Sequence, residues 1–164
     1  MRSMTRSRQL LGLLAWLATA FTGAGIGAAA SASAGSFYQQ LARPDWAPPG
    51  WLFAPVWSVL YLSMALAAWL VWRVGGFRAS AAALSLFLVQ LAANALWTWL
   101  YFQFHLGALA FADIVLLDML IIATTMAFAR IRTLAAWLML PYLAWVLFAT
   151  ALSFSTWQRN PGLL

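Results

Sequence analysis

The sequence, 164 residues long, has no cysteine. It can form no disulfide, present no thiolate nucleophile and offer no thiolate to a metal. Its one histidine, His105, excludes a multi-histidine zinc or haem-ligand set within one chain. Charge is scarce: 7% of residues are charged, against about a quarter in an ordinary globular chain. Lysine and glutamate are missing altogether. The acids are Asp45, Asp113 and Asp118, the 9 basic residues are all arginine, and the net charge is +6. A soluble fold with so few polar side chains could not cover its surface.

Apolar residues are abundant, at 65% hydrophobic and 16% aromatic, with 11 tryptophans. Lipid solvates such side chains on every outward face, provided the backbone satisfies its own hydrogen bonds in helices. The composition predicts an all-α integral membrane protein. Five apolar stretches, 10–30, 51–72, 81–104, 106–129 and 134–157, are each about 21 to 24 residues long, enough helix to cross a bilayer with modest tilt. The expected architecture is a single domain over 1–164, a bundle of five transmembrane helices. Connections are short except 31–50, where Arg43, Pro44, Asp45, Trp46, Pro48 and Pro49 preclude a continuous helix. That loop is long enough to fold back and cap one end of the bundle.

The arginines lie between apolar runs, which reads as a topology signal rather than a nucleic-acid-binding stripe. Arg2, Arg6, Arg8, Arg73, Arg78, Arg130 and Arg132 fall on one side of a five-span chain, and Arg43 and Arg159 on the other. A split of seven to two predicts a cytoplasmic amino terminus and fits a bacterial cell membrane, with an outer membrane as the alternative. The first stretch admits a second reading. Basic residues, an apolar run and the small residues Ala30, Ser31, Ala32, Ser33 and Ala34 also resemble a secretory signal. Gly23 and Gly27 form a GxxxG, either a surface for close helix approach or chance spacing.

Polar residues inside a membrane are costly, so their positions carry information. Gln90, Asn94, Trp97 and Tyr101 fall within about 60° on one helical face, predicted to point into the bundle. They serve either as interhelical hydrogen bonds or as a site. Asp113 and Asp118, five residues apart, lie about 140° from each other and cannot both face one small cavity. A carboxylate at such depth must be protonated, paired or reached by water; Asp113 suits a proton relay or a structural bond, and Asp118 has no evident partner. In the last stretch Pro141, Trp145, Phe148, Ala149 and Leu152 share a face. Trp145 lies mid-helix, whereas Trp51, Trp72, Trp137 and Trp157 suit interfacial belts. Measured from the side of the long loop, Pro55, Trp97, Asp113, Asn94 and Trp145 lie roughly 6, 10, 10, 15 and 18 Å deep. They converge beneath the loop, either as an aromatic cavity for a flat, apolar ligand or as a solid core.

These residues resemble the TspO/MBR family, the translocator proteins also known as tryptophan-rich sensory proteins. The match runs through Phe37, Tyr38, Leu41, Pro44, Trp46, Pro48, Pro49, Trp51, Pro55, Val56, Trp57, Leu60 and Tyr61. It resumes at Gln90, Leu91, Ala92, Asn94, Trp97 and Phe102, then at Ala110 and Asp113. It closes with Pro141, Tyr142, Leu143, Ala144, Trp145, Phe148, Ala149, Thr150 and Leu152. The resemblance implies a five-helix bundle, often a homodimer, that binds porphyrins such as protoporphyrin IX and needs no cofactor. By it, Trp46, Trp51, Pro55, Asn94, Trp97, Asp113, Tyr142, Trp145, Phe148, Ala149 and Leu152 are the expected ligand-binding residues. Trp51 and Trp145 match the tryptophan pair implicated in light-dependent porphyrin breakdown, and would be catalytic if that activity holds here.

Two departures limit the resemblance. The sterol-recognition pattern is broken over Leu152, Ser153, Phe154, Ser155, Thr156, Trp157, Gln158 and Arg159, with no tyrosine and a late basic residue, so sterol binding is weakly supported. Leu109 stands where relatives often carry tryptophan. Three functions are thus in contention: a porphyrin receptor or carrier, a photo-oxidative porphyrin-degrading enzyme, and a membrane scaffold with a filled core.

Overall fold

A computed structural model describes residues 5–32 and 34–164. Arg2 of the charge split and Ser33 of the small-residue run lie outside them. Helix α1 (Arg6–Ala30) is followed by a short α2 (Ala34–Gln40) and a 3-10 turn (Gly50–Leu52). Then come α3 (Phe53–Ala79), α4 (Ala81–Thr98) extended by a π turn (Trp99–Gln103), α5 (Gly107–Ile131) and α6 (Thr133–Arg159). Five of these helices are long and apolar enough to cross a membrane, and no strand occurs among the described residues. Several run beyond the apolar stretches, α3 to Ala79 and α6 to Arg159. A helix satisfies its own backbone in the interfacial region too, where arginine heads reach water on long stems.

Periodicity explains which faces are buried. On α5, Ala110, Ile114, Leu117, Ile121, Thr124 and Phe128 recur every three or four residues, and all are at most 1% exposed. Helix α1 packs on α3 and α4, α3 on α6, and α5 on both α4 and α6, giving a ring in the order α1, α3, α6, α5, α4. Met64, Ala65, Ala67, Ala68 and Val71 of α3 are completely buried within it. Where lipid supplies no hydrophobic drive between helices, small residues of this kind permit the close packing that holds them together.

The glycine pair in α1 belongs to this packing. A Cβ on Gly23 would lie 2.9 Å from Leu91 Cγ, and one on Gly27 would lie 3.3 Å from Thr98 Oγ1. The motif therefore seats α1 on α4 within one chain. The same helix sends Trp16 into the core, edge-on to Phe87 at 5.7 Å, and its carbonyls at Gln9 and Ile26 accept from Trp69 and Trp99 Nε1. It is a full member of the bundle. Gly76, at φ 78°, breaks α3 shortly before the turn into α4, a left-handed conformation that suits glycine.

The tryptophans near the helix ends differ in exposure. Trp137 is exposed as expected, but Trp72 is half-buried against Gly12, and Trp157 is half-buried with its ring stacked at 5.9 Å on Phe111. Both fill notches between helices, because a glycine opposite each (Gly12, Gly107) leaves room for an indole.

The long connection lies over the bundle end. Phe37 stacks on His105 at 4.1 Å and meets Tyr101 edge-on at 6.5 Å. Tyr38 meets Phe53 at 5.5 Å and donates to the Pro48 carbonyl at 3.1 Å.

Candidate functional site

Beneath this segment the aromatic residues form two groups. In the first, Trp46 of the loop contacts Phe148 of α6 at 5.7 Å, Phe148 contacts Trp145 at 5.6 Å, and Trp145 contacts Phe53 of α3 at 5.9 Å. Offset and edge-on geometries of this kind are favoured by the ring quadrupoles. In the second, Trp97 stacks on Tyr101 at 5.3 Å and meets Phe102 edge-on at 5.8 Å. Tyr101 belongs to the π turn and its hydroxyl pairs with Thr156 Oγ1 at 2.6 Å. That turn, together with His105 at φ 54°, re-aims the end of α4 and brings the chain back into α5. Departures from regular backbone of this sort are concentrated at functional positions.

Both tryptophans leave their polar atom unsatisfied. Trp97 Nε1 and Trp145 Nε1 are buried without a hydrogen-bond partner, as is Asp113 Oδ2. Buried polar groups are nearly always paired, so two idle indole donors in one aromatic region call for an explanation.

Deeper in the bundle, four polar side chains pair with one another, while Asp118 Oδ1 and Ser153 Oγ have no partner. Tyr61 donates to Asn94 Oδ1 at 2.8 Å, Asn94 Nδ2 donates to the Tyr142 hydroxyl at 3.0 Å, and that hydroxyl donates to Gln90 Oε1 at 2.8 Å. Gln90 Nε2 ends the chain on Met64 Sδ at 3.9 Å. Trp57 covers it, 5.6 Å from the Tyr61 ring and 6.2 Å from that of Tyr142. The network ties α3, α4 and α6 together.

The fold sorts the residues singled out above. It gathers Trp46, Trp145 and Phe148, and buries Ala149 and Leu152 on the same helix. Trp97 and Asp113 lie on α4 and α5, on either side of the turn that joins them. Asn94 and Tyr142 are 2% and 0% exposed with hydroxyl and amide occupied, so the structure gives them to each other rather than to an open surface. Trp51 is 71% exposed and Pro55 is also exposed, outside the Trp145 cluster. The inward face of α6 is centred on Tyr142, Val146, Ala149, Ser153 and Thr156, with Pro141 turned outward. Asp118, lacking an evident partner in sequence, accepts from Thr150 Oγ1 at 2.8 Å. Phe53 was missed, although Phe53, Trp57 and Tyr61 recur at every fourth position, an aromatic stripe legible in the sequence. Among the described residues no three histidine, cysteine or acidic side chains gather as a metal set.

Known proteins give the same picture of the chain. The sequence profile of the TspO/MBR family matches residues 13–158. The chain belongs to the TspO/MBR family. It is 39% identical to the translocator protein of Homo sapiens over 128 residues, covering 77% of this chain and 76% of that one. It is 38% identical to protein CrtK of Rhodobacter capsulatus over 134 residues, 79% and 82% of the two chains. With the tryptophan-rich protein TspO of Archaeoglobus fulgidus it shares 34% over 148 residues, 90% and 94%. This TspO/MBR member is an integral, multi-pass membrane protein with a TspO-type function.

Proposed function

We propose that this TspO/MBR protein binds a flat tetrapyrrole such as protoporphyrin IX between its two aromatic groups, under the 34–50 segment, as a receptor or carrier in porphyrin homeostasis or stress signalling. The observation that carries the reading is the pair of buried, unpartnered indole donors at Trp97 and Trp145. A ligand presenting ring faces to the aromatics and acceptor atoms to the two N–H groups satisfies both at once. Arg43, held over the Tyr38 ring at 4.6 Å, is the cation of the covering segment and suits a propionate at the mouth. Asp113 in its ionised form would repel the propionates, so it bonds the ring N–H groups or remains protonated. No cofactor is required. The amino terminus is cytoplasmic, the membrane is the bacterial cell membrane, and the protein works as a homodimer.

Quenching of tryptophan fluorescence by protoporphyrin IX in the dark tests the site. Trp145→Leu weakens saturable quenching at least tenfold, while Trp157→Leu, on the far side of α6 against Phe111, leaves it within about twofold. Equal losses in the two variants would sink the reading. Linear, mutation-indifferent quenching would mean partitioning into detergent and would favour a scaffold with a filled core. Illuminating the wild-type complex in oxygen tests the enzymatic alternative: products that require Trp145 and Trp51 would convert the receptor into a porphyrin-degrading enzyme.

A further inference from the structure

Three hydrogen bonds meet at one side-chain amide. Asn160 ends α6 and is 7% exposed. Its Oδ1 accepts from the Ala42 N–H at 2.8 Å, and its Nδ2 donates to the Ala42 carbonyl at 3.0 Å. The side chain thus pairs with both backbone groups of a residue 118 positions away, as a neighbouring strand would. Nδ2 also donates to the Thr156 carbonyl at 2.6 Å, which fixes the amide from the α6 side. Thr156 in turn holds Tyr101 in the π turn.

Ala42 occupies a telling place. It lies just after α2, where the covering segment leaves the helix and runs to Pro44 and the turn at Asp45 and Trp46. The ring contacts of Phe37, Tyr38 and Trp46 tolerate sliding, whereas paired hydrogen bonds demand one geometry. The Trp46 ring in turn meets Phe148, which meets Trp145, so the segment lies against the Trp145 group through these rings.

We propose that Asn160 is the latch of this segment: it holds residues 34–50 against the end of α6, and its release sets how fast a ligand enters and leaves the site beneath. Asn160 is a positioning residue, touching the segment and not the ligand. The latch itself follows from the contacts above; its effect on ligand exchange rests on the tetrapyrrole reading. Opening precedes both entry and exit, so weakening the latch speeds both and leaves the equilibrium nearly unchanged.

Amide hydrogen exchange of the full-length protein without ligand, combined with stopped-flow binding of protoporphyrin IX, tests this. In Asn160→Ala, exchange over 34–50 rises on the order of tenfold with the bulk of α3, α4 and α5 unchanged. Association and dissociation rates rise by a similar factor, and Kd stays within about threefold. Asn160→Asp keeps the acceptor for the Ala42 N–H but loses both donors, and falls between. Faster exchange confined to the last turn of α6 would reduce Asn160 to a helix cap and overturn the latch. A loosened segment with unchanged ligand rates would overturn the gating. If the wild-type protein bound no protoporphyrin, the tetrapyrrole reading would fail, while the exchange comparison would still decide the latch. Because the sequence has no cysteine, Ala42→Cys with Asn160→Cys supplies a second handle. Oxidised, it slows exchange over 34–50; reduced, it matches Asn160→Ala; identical exchange in the two forms would overturn the proposal.

Discussion

The Tyr142 hydroxyl donates to Gln90 and accepts from Asn94 in a region that water does not reach. Removing it leaves an acceptor and a donor idle at once. Tyr142→Phe is expected to cost about 1–2 kcal/mol, the lower end reflecting the weaker measured worth of hydrogen bonds within membranes. Thermal unfolding in detergent reads this as a lowered Tm. Porphyrin affinity in the surviving folded protein should change little, since the hydroxyl is already engaged by Asn94 and Gln90; a large affinity loss with unchanged Tm would contradict the network. The sequence places Asn94 and Gln90 on the inward face of α4 from spacing alone. It cannot show that Tyr61 and Tyr142 arrive opposite them, because partners 33 and 48 residues from Asn94 meet only when α3 and α6 pack on α4.

Among the elements, α1 shows most clearly how packing assigns a meaning to a motif. Gly23 and Gly25 are two residues apart on one helix, yet a Cβ on Gly23 meets Leu91 and one on Gly25 meets nothing within 4 Å. Gly23→Leu therefore forces α1 away from α4 and is expected to destabilise the bundle by about 1–3 kcal/mol, the usual range for overpacking. Gly25→Leu should be neutral or mildly stabilising, since leucine outranks glycine in a helix. Unfolding of the two variants side by side checks the contrast, and equal tolerance would argue that α1 is loosely held. Sequence spacing alone leaves the GxxxG ambiguous, because it does not say which helix lies against it. The π turn at Trp99–Gln103 is equally invisible in the sequence. Its residues include no glycine or proline to mark it, and the closure of the turn into α5 and the Tyr101–Thr156 pair accompany the wider winding.

At the scale of the whole molecule, five spanning helices place the two chain ends on opposite sides of the membrane. The arginine split then predicts which side is which. Single cysteines introduced into this cysteine-free chain report it cleanly. Gly35→Cys and Gly162→Cys, both at open positions, should react in intact cells with a membrane-impermeant maleimide. Ala79→Cys, exposed at the end of α3, should react only after permeabilisation. The reverse pattern would invert the topology and put the 34–50 segment on the cytoplasmic side.

Solvent, helix count and family are all legible in the amino-acid sequence. Composition decides what can be solvated by lipid, apolar run length decides what can cross it, and identities of 34–40% over most of the chain place it in the family. Which polar side chains pair with one another and which are left over emerges from the packed bundle. Asn94, Tyr142 and Asp118 find partners on other helices, while Trp97 and Trp145 keep idle donors, and Trp51 stays outside the cluster. Hydrogen bonding is a matter of a few tenths of an ångström between atoms far apart in the chain, and helical periodicity fixes direction without fixing the neighbour. The pairing of Asn160 with Ala42 has the same origin: nothing local to either residue announces it, and only the closed bundle brings them together.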